Sequence, residues 1–186
     1  MEFNKLAIST NLIKLLNNLL ILILHTYLII MENILRLNKE QTVRTVEKLN
    51  ALLANLAIFY QNLRGLHWNI KGKYFFTLHE KFEEIYNEVA EQIDEVAERI
   101  LILEGEPLHA YSDFIEMAKI SEIKNISTDT QAVDLTIKNL SVLLDIERQI
   151  VDHTSELSDE TSTALMGAMI ESQEKHIWML GAFLSE

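Results

Sequence analysis

The chain of 186 residues has no cysteine, one proline and five glycines. Without cysteine there is no disulfide framework, no thiolate metal site and no catalytic thiol. So few turn residues exclude a many-stranded β-fold, in which turns recur about every eight to twelve residues. Basic residues are scarce too: 16 Lys and Arg stand against 28 Asp and Glu, for a formal charge of −12. Such a surface opposes sequence-independent DNA binding, which relies on Lys and Arg at the phosphates, and it attracts cations. What is abundant is apolar, 48% of residues, which suffices for one core and is too much for a disordered chain. The length suits a single domain. Any metal chemistry must rest on His, Asp and Glu.

Residues 1–30 read apart from the rest. Leu19 to Leu24 is an unbroken apolar run, followed by His25-Thr26-Tyr27 and then Leu28-Ile29-Ile30. A membrane-spanning helix needs roughly 18 nearly uninterrupted apolar residues, and Asn17, Asn18, His25 and Thr26 break this stretch. Lys5 and Lys14 ahead of the run suit a signal peptide, but no small-x-small cleavage site follows; Met31-Glu32-Asn33 does. Met31 therefore reads as a natural start, with 1–30 an apolar upstream extension and 31–186 the folded domain. An export signal or membrane anchor and an extra docking helix are the alternatives.

From Met31 onward the apolar spacing is helical. Val43, Val46, Leu49, Leu52, Leu53, Leu56, Ile58, Phe59, Tyr60 and Leu63 predict a helix over about 39–66. Asn69 to Lys73, with Gly72, interrupts it. Leu78, Phe82, Ile85, Val89, Ile93, Val96 (or Ala97), Ile100 and Leu103 predict a second over about 75–104, with Gly105 and Pro107 as its stop. Ser112 opens a short helix over 112–120. Val133, Ile137, Leu140, Leu144, Ile146 and Ile150 mark a third long helix, about 129–156. Ser158 or Asp159 can cap a fourth, about 160–184, with Leu165, Met169, Ile170, Ile177, Leu180 and Leu184 inward. The fold class is all-α: a four-helix bundle with a short extra helix in the crossover between helices 2 and 3.

Of the six histidines, four need no special role: His25 in the leader, His109 in a loop, and His153 and His176 as single helical histidines. His67 and His79 differ by their company. His79 and Glu83 are four apart and share a helix face; Asp94 and Glu98 repeat that spacing on the same helix. Eleven residues separate Glu83 from Asp94, about three turns, so both pairs lie on one side but roughly 16 Å apart. One metal ion cannot span that. Either there are two sites, or each pair meets the other pair of a second, antiparallel copy. A twofold dimer produces the second arrangement, with His67, His79 and Glu83 from one chain and Asp94 and Glu98 from the other.

His67-Trp68-Asn69, the steps of twelve to His79, four to Glu83, eleven to Asp94 and four to Glu98, and the segments LRGLHWNIKG, FFTLHEKFEEIYNEVAEQIDEVAERI and KHIWML resemble the ferroxidase signature of the Dps family, the DNA-protection-during-starvation mini-ferritins. The resemblance covers about residues 40–184. One departure is Glu83, where the family usually has Asp; glutamate is still an oxygen ligand but is longer by one methylene. The resemblance implies a ferritin-like fold, a cytoplasmic dodecameric shell built from twofold dimers, and iron sites between subunits holding one or two Fe ions. Fe(II) would be oxidised there, with hydrogen peroxide preferred to dioxygen, and stored as ferric mineral, protecting DNA from oxidative damage. Glu98 is the best candidate to bridge two ions, and Trp68 could intercept stray oxidising equivalents or simply pack at an interface. Acidic pores are expected near the start of the fourth helix, where Glu156, Asp159 and Glu160 lie. Direct DNA binding is expected to be weak or absent, because residues 31–48 are nearly balanced in charge and the C-terminus Leu184-Ser185-Glu186 carries no basic tail. No membrane partner is expected.

Other di-iron bundles build their site within one subunit from Glu-x-x-His motifs on two helices. The one such motif here, Glu106-Pro107-Leu108-His109, falls in a proline-containing loop. The interface site is therefore the one these residues can make. A nucleoid-associated or passive metal-buffering shell without turnover is the alternative.

Overall fold

A computed structural model describes residues 14–23, 37 and 39–185. Two compact units divide at Lys39 and Glu40. In the first, residues 14–23 form helix α1; its apolar side chains are all more than half exposed, from Leu19 at 53% to Leu15 at 69%. The rest of the 1–30 extension lies outside the described residues. In the second unit the helices are α2 (Lys39–Asn69), α3 (Phe75–Ile102), α4 (Tyr111–Met117), α5 (Asp129–Glu156) and α6 (Glu160–Phe183). No helix among the described residues is long and apolar enough to cross a membrane.

The crossover is held along α2 by three buried asparagines. Asn50 donates to the Glu106 carbonyl and accepts from the Leu108 N–H. Asn55 accepts from both the Lys119 and Ile120 N–H groups at 2.9 Å. Asn62 donates to the Ser121 carbonyl and accepts from the Ile123 N–H, both at 3.0 Å. The Lys71 N–H then donates to the Ser127 carbonyl. The crossover thus climbs α2 from Asn50 to its end and delivers α5 at the α2–α3 hairpin. It follows that α5 runs parallel to α3, and that α2 and α6 run the other way: the ferritin-like order. Asn55 satisfies two backbone donors at once and is 1% exposed. Asn55→Ala strands both, which is expected to cost about 2 kcal/mol, read as a lower thermal midpoint at fixed chain concentration.

The helix ends differ from the sequence expectation in an instructive way. The end of α3 is a left-handed cap made by Glu104, at φ 61°, with Glu104 N–H to the Leu101 carbonyl and Gly105 N–H to the Ile100 carbonyl. Gly105 is needed for space instead: a Cβ there would lie 2.6 Å from Val46 Cγ1. The end of α5 repeats the motif at Ser158, at φ 56°. Asp159, not Ser158, caps α6, its carboxylate accepting from the Ser162 N–H. The short helix starts at Tyr111 and stops at Met117.

Most of the predicted core is buried, with Leu49, Leu52, Leu56, Phe59, Leu63, Phe82, Val96, Ile100 and Ile150 fully enclosed. Val43 on α2 is instead 54% exposed, and Val46, Tyr60 and Ile137 are half-buried; the exceptions on α3 and α6 share a cause. On α3 the inward position is Gln92, while Ile93 is half-buried. On α6 the inward stripe is Ser162, Met166, Met169, Gln173, His176 and Leu180, while Leu165, Ile170 and Ile177 sit at its edge. The steps of three and four hold; the residues occupying them are partly polar.

Candidate metal centre

The hairpin between α2 and α3 turns at Gly72, whose φ of 108° suits glycine. It brings His67, in the last turn of α2, onto His79, in the first turns of α3. The two rings stack, centroids 3.7 Å apart and planes at 19°. His67 Nδ1–H donates to the His79 carbonyl and His79 Nδ1–H donates to the His67 carbonyl, both at 2.8 Å. A carbonyl can only accept, so Nδ1 carries a proton in both rings, and in neutral imidazole each Nε2 then holds the lone pair that binds metals. A carbonyl behind the far ring nitrogen is the usual way a ligating imidazole is oriented. Phe75 stacks on His79 at 5.0 Å, and Tyr86 meets His67 edge-on at 5.4 Å, so each ring also has an aromatic neighbour outside the pair.

Glu83 lies one turn beyond His79 and is exposed. The Tyr86 hydroxyl donates to Glu83 Oε1 at 3.2 Å. Burial, together with the Glu83 charge, pushes that hydroxyl above its ordinary pKa, which keeps it a donor. Asp94 and Glu98 are exposed farther along α3. One chain thus brings His67 and His79 together, with Glu83 one helical turn beyond His79, and leaves Asp94 and Glu98 about three turns away from Glu83. Among the described residues, no three His, Asp or Glu side chains of a single chain gather closely enough to hold a metal ion. Beside the pair, Arg64 lies over both Trp68, at 4.7 Å, and Tyr60, at 5.4 Å; Trp68 is 56% exposed.

Of the acids expected near a pore, Glu156 and Glu160 are exposed but Asp159 is not. Its carboxylate is buried against Arg99 at 2.7 Å, which removes it from any aqueous channel.

A second polar constellation was not legible as a site. Glu88 of α3 accepts from His176 Nε2 at 2.8 Å, from Gln92 at 3.2 Å and from Ser172. The His176 bond, more than the Ser172 bond, holds Glu88 below the usual carboxylate range despite its partial burial. On α5, Glu147 is fully buried and accepts from Gln173. Burial pushes the Glu147 carboxyl up to about 7. The sequence signal for this cluster was faint: Gln173 and His176 fall at the steps of the inward stripe of α6.

The chain matches the family described as Ferritin-like domain over residues 46–186. It is 43% identical over 146 residues to an uncharacterized protein of Haemophilus influenzae, covering 78% of this chain and 91% of that one. It is 40% identical over 150 residues to the DNA protection during starvation protein of Porphyromonas gingivalis, covering 81% and 94%. Among solved structures, the Dps protein of Vibrio cholerae O1, described as a member of a broad superfamily of ferritin-like diiron-carboxylate proteins, superimposes with a TM-score of 0.79 at 43% identity, covering 80% of this chain and 94% of that one. The chain belongs to the Dps family of ferritin-like proteins.

Proposed function

We propose that the protein is an iron-storage ferroxidase, working at sites shared between two subunits and keeping its ferric product as mineral inside a dodecameric shell. The observation that carries this reading is the reciprocal His67–His79 pair. Its two hydrogen bonds fix both tautomers and leave both Nε2 atoms for a metal beside Glu83. Imidazole and carboxylate without thiolate suit Fe(II). An antiparallel twofold copy of α3 supplies Asp94 and Glu98 of the partner subunit across the roughly 16 Å that separates the pairs within one chain. The Porphyromonas relative, by its name, protects DNA, and the Vibrio relative, by its description, is a diiron-carboxylate protein; both support the reading.

Iron is the substrate. Two Fe(II) and one hydrogen peroxide, with two protons, give two Fe(III) and two waters; the O–O bond breaks and no hydroxyl radical is released. The ligands orient the ions, and their carboxylates offset the added charge of Fe(III). DNA is then protected by removal of Fe(II) and peroxide together. To test this, Fe(II)-loaded protein is given peroxide without oxygen and near-ultraviolet absorbance is followed. Rapid oxidation at two Fe(II) per peroxide, by a particle of twelve-chain mass, supports the proposal. Bound but unoxidised iron, or a monomer, overturns it.

Direct DNA binding plays no part in this reading. The chain carries 16 basic residues against 28 acidic ones, and phosphate contacts weaken steeply with salt. Purified assembly is expected to leave plasmid mobility unchanged in a gel at physiological ionic strength; a clear shift contradicts this.

A further inference from the structure

Five buried side-chain atoms of α3, α5 and α6 have no protein partner; His153 Nε2 lies nearly two turns beyond Glu147 on α5, and the other four are Gln92 Oε1, Glu147 Oε2, Gln173 Oε1 and His176 Nδ1. Their residues are 6%, 0%, 3% and 6% exposed. Buried polar atoms are almost always satisfied, so four in one region require an explanation. They are also of one kind. Three are carbonyl or carboxylate oxygens. The fourth is a ring nitrogen whose partner, Nε2, donates to Glu88, so in neutral imidazole it holds a lone pair. The set is all acceptor and no donor.

The four residues fall within about two helical turns along the bundle. Glu88 is tied to Ser172 and His176, while Arg99 is tied to Asp159 and Ser162. These ties run α3 and α6 antiparallel and put Gln92 within about one helical turn of Gln173. Gln173 in turn holds Glu147 of α5, and His176 follows Gln173 by three residues, on the same face.

We propose that this interior is a second cation site, within a single subunit, in which these four atoms take a divalent ion of borderline character. A proton on Glu147 satisfies that oxygen and one acceptor, and a water donates to two, so that pair is needed together to match what a single cation does alone. Charge balances as well: Glu88 and Glu147 bring two carboxylates, and the buried cation of α3, Arg99, is already committed to Asp159. The arrangement Glu88–His176–ion is moreover the carboxylate–histidine–metal sequence found behind ligating imidazoles. Two oxygen donors are glutamine carbonyls, so the set is not a cluster of three ionisable groups.

The test uses the assembled full chain carrying His67→Ala/His79→Ala, which removes the interface imidazoles, so that failure here leaves the iron-site proposal standing. After chelation it is titrated with Co(II), and visible absorption is followed. About one Co(II) per chain with imidazole-type bands is expected, weakened at least about 10-fold by Glu147→Gln. Zn(II)-soaked crystals of the unmodified protein are expected to show an anomalous peak between Glu147, Gln92, Gln173 and His176. Unchanged Co(II) binding in the Glu147→Gln variant, or only water at that position, overturns the proposal. If that variant does not assemble, the crystals of the unmodified chain decide.

Discussion

Replacing both His67 and His79 by alanine is expected to slow peroxide-driven Fe(II) oxidation by at least about 100-fold. Loss of a group that merely orients a metal ligand typically costs 10–100-fold; this variant removes two proposed direct ligands, and their mutual orientation with them. His67 is 8% exposed and packed beside Tyr86, so its truncation opens a cavity, and the variant must first be shown to assemble. Asp94→Asn/Glu98→Gln offers an independent route, since both acids are on the surface of α3 and their replacement leaves the core untouched. The decisive measurement is complementation. Shells co-assembled from equal amounts of the two inactive double variants contain mixed dimers in about half of random pairings. Each mixed dimer carries one site with all His and carboxylate ligands and one with none of the replaced groups. Under an isologous shared site, about a quarter of wild-type activity returns. If each chain holds its own site, mixing returns nothing. This comparison does not depend on how many irons each site holds, nor on whether peroxide or dioxygen is the faster oxidant.

The fold was legible because its apolar residues keep helical period over long stretches and because Gly72 and Gly105 fall between helices. The five proposed ligand positions could be nominated because their spacing is a one-dimensional property of α2 and α3. What no spacing reveals is the reciprocal hydrogen bonding that sets the tautomers of His67 and His79, since it depends on the hairpin geometry around Gly72. The interior positions Gln92, Glu147, Gln173 and His176 were passed over for a related reason. A reading by hydrophobic period selects apolar residues, and on α6 it chose Ile170 and Ile177 rather than Gln173 and His176. A polar residue can occupy the core only when its partner arrives from elsewhere, and Glu88 is 88 residues from His176. Likewise Asn50, Asn55 and Asn62 look like weak points in α2 until the crossover that they bind is present. Long-range polar pairing is thus where local patterning fails, and here it fixes both the path of the crossover and the chemistry of the interior.

Arg99→Ala is expected to destabilise the subunit by about 3–5 kcal/mol, the range for leaving one member of a buried ion pair uncompensated. Arg99 Nη2 lies 2.7 Å from Asp159 Oδ1 and its Nε donates to Ser162 Oγ at 2.8 Å. Side-chain exposures in the ion pair are 8% and 4%. Asp159 has two tasks: it balances Arg99, and the same Oδ1 accepts from the Ser162 N–H to cap α6. The substitutions therefore separate by mechanism. Asp159→Asn keeps a capping oxygen but strands the guanidinium; Asp159→Ala loses the cap as well, adding about 1 kcal/mol. The double variant Arg99→Met/Asp159→Asn removes both charges and keeps the cap, and it is expected to lose less than Arg99→Ala alone, because apolar replacement of a complete buried pair is often close to neutral. For a chain of this length, 3–5 kcal/mol corresponds to roughly a 10 °C fall in thermal midpoint. All variants are compared at one chain concentration, since assembly adds to the apparent stability. A single-variant loss that the double variant merely adds to shows that Arg99 and Asp159 act independently. Recovery in the double variant shows that the energy resides in the uncompensated charge, and that the ion pair sets which end of α3 meets the start of α6 more than it stabilises the bundle.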